Sequence, residues 1–258
     1  MLSPCDPIGS LAWARHTGGR LSAMERFAVA RSAVAELLKQ EGTRALRLLG
    51  LGTRHQIDLA LAGIPLPASR ASRAAADLCA EVSSPALTGH CHRTYLWGAL
   101  LAARDGISFD AELLHVASLL HDLGLTERFR PRGEVQCFAL AGAEEAERFG
   151  LLQGWPSPRA EALAEAICRH LNPRVDVASG AEAHLVRQGS GLDVAGLRFG
   201  EIAPATRSAV IERHPRLGFK TELGRLLSAE GEARPSSRIA TLHKLGFGRK
   251  IATAPFAE

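Results

Sequence analysis

A histidine and an aspartate stand side by side inside an otherwise apolar helical run of this sequence. His121 and Asp122 lie within the run from Leu113 to Leu123. An ionised carboxylate is costly to bury unless a cation or hydrogen-bond partners compensate it. The pair therefore suggests a metal site, and the alternative is a buried, hydrogen-bonded His-Asp pair without a metal.

Two further side chains complete a candidate metal site. His90 upstream and Asp193 downstream join His121 and Asp122, so that the set offers two imidazoles and two carboxylates. These donors suit a divalent ion such as Zn, Fe, Mn, Ni or Mg. If the protein fills four positions of an octahedron, the others are open to water and substrate. A water bound there loses a proton more easily, which makes it a nucleophile near neutral pH.

The elements that must position these residues are predicted to be helices. Hydrophobic residues make up 46% of the 258 residues and aromatic residues only 5%, while alanine and leucine are plentiful. Apolar residues recur at spacings of three and four, and short Gly/Pro breaks separate the segments. No segment requires a strand, so we predict an all-α fold.

Cap signals mark the two helices that carry most of the site. Ser84-Pro85 predicts the start of the helix that contains His90. Asp110 is the predicted cap of the helix that contains the His-Asp pair and ends at Gly124. Further downstream, a short helix over 181–188 is predicted to end at the glycines that precede Asp193, and the tail 234–258 is basic and loosely patterned.

The Gly/Pro-rich stretch around residue 65 predicts a domain boundary. Residues 1–64 are interpreted as an N-terminal arm, mobile over 1–20, and a helical extension with helices from about 23 to 42, 43 to 49 and 54 to 62. Residues 65–258 contain the motifs and the C-terminal tail. In the first of these helices, one amphipathic face is predicted to pack inward; it comprises Met24, Phe27, Ala30, Val34 and Leu38.

Composition narrows the function classes. The net charge of +4 is diffuse and no dense Lys/Arg run occurs, which argues against nucleic acid as a partner. No apolar run is long enough to cross a membrane. The five cysteines are scattered without a CxxC pair, which favours reduced packing residues and a cytoplasmic location. A small-molecule substrate is the expected partner. The sequence does not decide whether the chain forms a homo-oligomer.

The order His…His-Asp…Asp is similar to the signature of the HD-domain superfamily of metal-dependent phosphohydrolases. More narrowly, the sequence resembles the cyanamide hydratase-like branch over about residues 65–256. The blocks that carry this resemblance are 89–95, 109–114, 120–126, 166–170, 191–196 and 214–216. The resemblance implies an all-α HD-domain helical bundle whose divalent metal is held by the four residues above.

Three functions, two catalytic and one non-catalytic, are compatible with this resemblance. The first is hydration of a nitrile, cyanamide or isocyanide carbon by a metal-activated water. The second is hydrolysis of a nucleotide or another small phosphoester, and the third is a non-catalytic HD module that binds a ligand. Apolar residues on the motif helices are expected to surround the site and favour the first; they are Leu87, Cys91, Leu119 and Ile167.

Three more side chains are candidates for catalysis or substrate binding. His170 and His184 are expected in the pocket wall, where they bind the substrate or a second metal; the alternative is that both are ordinary half-buried histidines. Arg93 lies one turn after His90 and is expected to steady a carboxylate or to hold a substrate anion, unless it forms a surface salt bridge. Because only four ligands are clear, we expect one metal ion.

Overall fold

The computed structural model describes residues 6–51, 56–133 and 136–258. It is 68% helical and contains no strand among the described residues, which confirms the predicted all-α fold. Its α-helices are α1 (Leu11–Thr17), α2 (Ala23–Leu48), α3 (Arg70–Val82), α4 (Pro85–Asp105), α5 (Ala111–Leu120), α6 (Phe138–Leu152), α7 (Ser157–Arg169), α8 (Ala181–Ala195), α9 (Pro204–Arg213), α10 (Phe219–Ala233), α11 (Arg238–Lys244) and α12 (Phe247–Ala252).

The two predicted cap signals are confirmed. The Ser84 hydroxyl accepts a hydrogen bond from the amide of Leu87 at 3.1 Å, and Pro85 is the first residue of α4. Asp110 accepts from the amide of Leu113 at 3.0 Å and begins α5. These caps satisfy amides that a helix start leaves unpaired, so they fix the register of both site helices.

The helix with the His-Asp pair ends earlier than predicted. α5 stops at Leu120, and His121 and Asp122 form the turn that leads into a 3₁₀ turn over Leu123–Leu125. A Cβ atom on Gly124 would lie only 2.0 Å from the carbonyl oxygen of Phe138, so this turn packs directly against the start of α6. His121 keeps helical backbone angles, but Asp122, with φ −105° and ψ 13°, has left them, so its side chain is no longer held to the 100° divergence of neighbouring helical positions.

The predicted break before Asp193 is wrong. α8 continues through Gly189-Ser190-Gly191 and ends only at Gly196, whose φ is 67°. A Cβ atom on Gly189 would lie 2.1 Å from the carbonyl oxygen of Thr94. The glycine therefore permits the close approach of α8 to α4, and this approach brings Asp193 next to the residues of α4.

The N-terminal region is more ordered than predicted, although residues 1–5 lie outside the described residues. The expected mobile arm contains α1, whose Leu11 and Trp13 are buried in the same core as the site helices. α2 runs through Gly42, an exposed position where a helix tolerates glycine at a cost of about 1 kcal/mol. A boundary near residue 65 stays a prediction.

The predicted inward face of α2 is largely wrong. Met24 and Phe27 are 84% and 72% exposed, and Val34 and Leu38 are also exposed. The buried residues of α2 include Val29 and Ala33 instead, and the helix contacts α11. Both sides of α2 carry apolar residues, so periodicity alone did not identify the buried one.

The remaining differences concern the connections. The predicted helix 54–62 begins outside the described residues; within them, Ile57 forms a β-bridge with Ile202, and only a 3₁₀ turn follows at Leu61–Gly63. The loosely patterned tail contains two short helices, α11 and α12, which bury Ile239 and Ile251. No helix among the described residues is long and apolar enough to cross a membrane.

Candidate metal centre

Three of the predicted ligands converge on one point. The Nε2 atoms of His90 and His121 are 3.1 Å apart, and one oxygen of Asp122, Oδ2, lies 3.6 Å and 3.4 Å from them. One ligand atom from each residue lies within 4.8 Å of the others, and all three residues are buried. Atoms that share an ion at about 2 Å are separated by such distances.

Hydrogen bonds orient both imidazoles toward this point. His90 Nδ1 lies 2.8 Å from Asp193 Oδ2, and His121 Nδ1 lies 2.8 Å from the carbonyl oxygen of Ser118. A proton on each Nδ1 completes these bonds and leaves the Nε2 lone pair of each ring available for a metal ion. Phe219 stacks on the His90 ring with centroids 4.4 Å apart and further limits its rotation.

Asp122 is the least compensated charge of the site. Its side chain is 6% exposed, yet its oxygens accept no hydrogen bond within the described part of the chain. Its closest polar neighbours are Nε2 atoms of three histidines at 3.4–3.7 Å. Burial raises the pKa of Asp122, but His121, His90 and His170 outweigh it and hold the pKa below its ordinary value. Two imidazoles and an ionised, unpaired carboxylate fit a divalent cation.

His170 lies at the same site, as predicted for the pocket wall. Its Nε2 is 3.7 Å from Asp122 Oδ1, and its Nδ1 lies 2.5 Å from the carbonyl oxygen of Ile167. Burial lowers the pKa of His170 to about 3, so its imidazole is neutral at physiological pH. It therefore presents a free nitrogen lone pair toward the second oxygen of Asp122.

Asp193 lies behind His90 instead of among the converging ligand atoms. Its oxygens contact His90 Nδ1 and accept hydrogen bonds from Arg93 at 2.8 and 2.9 Å, from Trp97 at 2.9 Å and from Arg216 at 3.2 Å. Burial opposes ionisation, but Arg93 and the bond to His90 hold the pKa of Asp193 far below its ordinary value. The predicted four-residue set thus comes together in part, because four neighbours already occupy this carboxylate.

Arg93 is a fully buried partner of Asp193. Its Nη1 also donates to the carbonyl oxygens of His214 and Pro215, both at 3.0 Å. All three guanidinium nitrogens are engaged, and Arg93 is not part of the cavity wall. Of the roles considered, the structure places Arg93 where it steadies a carboxylate.

Two supporting residues were not identified from the sequence. Trp97 follows Arg93 by one helical turn on α4, so the same-face spacing was available as a signal. Arg216 lies in the block 214–216 that supported the resemblance, but its contact with Asp193 crosses 23 residues and has no local signature.

His184 lies away from the centre, where its Nδ1 contacts the carbonyl oxygen of Val175 at 2.7 Å.

A cavity of about 150 Å³ opens in front of the cluster. Its wall is mainly apolar and is not formed by the expected residues Leu87, Cys91, Leu119 and Ile167, which lie in the core. The side chains that line it come from α2, α8, α10, α11 and α12 as well as from the metal centre. They include Leu37, Val194, Leu223, Leu227, Leu242 and Phe247, with Glu36, Arg187 and Lys250 as the charged members.

The comparison with known families agrees with this geometry. Residues 87–190 match the HD domain family. HD domains are typically metal-dependent hydrolases, and the matched segment contains His90, His121 and Asp122 as well as His170. The match supports the HD superfamily and does not extend to the cyanamide hydratase-like branch. No curated protein matches the chain as a relative.

Proposed function

We propose that this protein is a divalent-metal-dependent HD enzyme, a hydratase or a hydrolase, that acts on a small molecule in the apolar cavity. The observation that carries the proposal is Asp122, a buried ionised carboxylate that faces three histidine nitrogens and accepts no hydrogen bond from the described residues. A cation compensates such a group, and the cavity in front of it leaves room for a substrate.

The position of each residue indicates its role. His90, His121 and Asp122 would hold the ion, while Asp193 keeps the His90 ring in place. A bound divalent ion supplies a water of lowered pKa, which is a nucleophile near neutral pH. The neutral imidazole of His170 lies beside Asp122. We propose that this imidazole either binds the ion as a further ligand or transfers a proton to or from the substrate.

Within this class we favour attack on a neutral electrophilic carbon, as in hydration of a nitrile, cyanamide or isocyanide. Phosphoryl transfer requires positive charge around three equatorial oxygens. The guanidinium groups of Arg93 and Arg216 next to the centre are turned to Asp193. Phosphoester hydrolysis is the alternative, supported by the cations Arg187 and Lys250 in the cavity wall.

A substrate panel tests these assignments. The protein is assayed with Zn, Fe, Mn, Ni or Mg against small nitriles, cyanamide and nucleoside monophosphates, with Asp122→Ala as the inactive control. We expect amide or urea formation that the control lacks. Release of inorganic phosphate supports the alternative, and stoichiometric metal without turnover of any substrate supports a ligand-binding module.

Arg93→Ala separates the two chemistries further. Because Arg93 contacts Asp193 and not the cavity, we expect a modest fall in kcat and little change in KM for a neutral substrate. A strong rise in KM for a nucleotide, with the metal still bound, would instead show that Arg93 holds a phosphate and would support the phosphohydrolase.

A further inference from the structure

We infer that the cavity contains a second binding point, at Arg187, for an anionic oxygen group of the ligand, either a carboxylate or a phosphate. Arg187 lies on α8, is 9% exposed and lines the same cavity as His90 and Asp122. The inference deepens the proposed function, since it adds the chemical class of the molecule that the cavity accepts.

The guanidinium of Arg187 is only partly satisfied by the protein. Its Nε donates to the carbonyl oxygen of Asn172 at 3.3 Å, and its Nη2 donates to that of Pro173. Its Nη1 makes no hydrogen bond with the described residues. A Cβ atom on Gly191, another residue of the cavity wall, would lie 3.7 Å from this Nη1. The two carbonyls therefore hold the group in place while one nitrogen stays available to a ligand.

Two buried arginines next to the centre, Arg93 and Arg216, differ from Arg187. Arg93 and Arg216 both pair with the carboxylate of Asp193, whereas Arg187 forms no ion pair within the described residues. The acidic side chain that influences it most is Glu36 of α2, which also lines the cavity. Burial lowers the pKa of Arg187 to about 10, so it still carries its charge. A buried cation without a counter-ion is costly, and a ligand anion would relieve this cost.

The position of Arg187 separates the anion from the reacting end of the ligand. Arg187 precedes Asp193, which contacts the edge of the His90 ring away from the cavity, by six residues on one helix, or about 9 Å along the axis. Its carbonyl partners, Asn172 and Pro173, directly follow the segment that holds His170. The wall beyond them is mainly apolar. The ligand class is thus a small amphipathic molecule with an apolar body, an anionic group at Arg187 and its reactive group at the metal centre.

Calorimetric titration with three probes tests this site. Hexanoate, 1-hexanol and hexyl phosphate share one chain and differ in the head group. We expect hexanoate or hexyl phosphate to bind about tenfold or more tightly than hexanol, as for a charge-assisted hydrogen bond in a buried site. The better of the two anions identifies the head group.

Variants assign the preference to Arg187. Arg187→Met is expected to bind the anionic probe and hexanol with similar affinity. Arg187→Gln removes the charge but keeps donors for the two carbonyls, so it provides the same test if Arg187→Met fails to fold. Lys250→Met is the matched control, because Lys250 lines the same cavity and its Nζ donates to Gln40 at 3.2 Å. We expect this control to keep the preference.

Titrations are carried out on the protein as purified and after removal of metal with a chelator. A preference that persists without metal and disappears in both Arg187 variants supports the site, even if the proposed hydrolase activity is never found. Equal affinity of the wild-type protein for all three probes overturns the inference. So does a preference that requires metal and survives the loss of Arg187, or one that Lys250→Met abolishes instead.

Discussion

Two buried aspartates contact opposite edges of the His90 ring, and their surroundings differ. Asp193 lies at Nδ1 and is surrounded by two guanidinium groups, an indole N–H and the imidazole. Asp122 lies near Nε2, and its partners among the described residues are three histidine nitrogens at 3.4–3.7 Å, too far for a hydrogen bond. Protein groups compensate the first carboxylate, whereas the second has no such partner among the described residues and fits an external cation.

The comparison shows that residue type alone does not define a metal ligand. Both aspartates are buried and both have depressed pKa values, but the causes differ: Arg93 lowers the pKa of Asp193, and histidines lower that of Asp122. We therefore expect loss of Asp193 to act mainly on stability and on the His90 ring. Loss of Asp122 should act mainly on metal binding.

The largest expected effect is that of Asp122→Ala on metal content. Removal of this carboxylate leaves two imidazoles without a charged ligand, so the purified variant should contain almost no divalent metal by elemental analysis. The metal-free variant should be no less stable than the metal-free wild type, because it no longer buries an uncompensated charge. Asp176→Ala, at an exposed position, is the control. Equal metal content in wild type and Asp122→Ala would refute the site.

Asp193→Asn should produce the opposite pattern. It leaves the charges of Arg93 and Arg216 without their carboxylate, so the free energy of unfolding of the metal-free protein should fall by about 3–5 kcal/mol in urea denaturation. Metal affinity should fall about 10–100-fold, as for residues that orient a ligand. Asp176→Asn is again the control. Unchanged stability with complete loss of metal would instead make Asp193 a direct ligand.

The smallest effects distinguish His170 from His184, both of which were predicted to lie in the pocket wall. His170→Ala should weaken metal binding, because its free nitrogen faces Asp122, whereas His184→Ala should leave metal content unchanged.

Anomalous scattering from metal-loaded crystals should show one strong peak. Two peaks about 3.5–4 Å apart would establish a binuclear centre, and a loss of metal in His184→Ala would contradict the position of His184.

Local signals predicted the parts of the fold that depend on local hydrogen bonds. Ser84 and Asp110 cap α4 and α5 as predicted because a cap acts within three residues of itself. The glycines before Asp193 were interpreted as a helix end, but Gly189 serves a contact between α8 and α4. A glycine that ends a helix and one that permits close packing look alike in a sequence.

The sequence by itself determined the all-α fold class and the donor chemistry, His90 with the His121-Asp122 pair, because both follow from residue types and short-range spacing. Only the tertiary structure decided which aspartate faces the cavity. Arg216 and Trp97 reach Asp193 across 23 and 96 residues, and such contacts have no local pattern. The contribution of α2, α11 and α12 to the cavity wall also had no local pattern, because the fold of the whole chain decides which helix faces are buried.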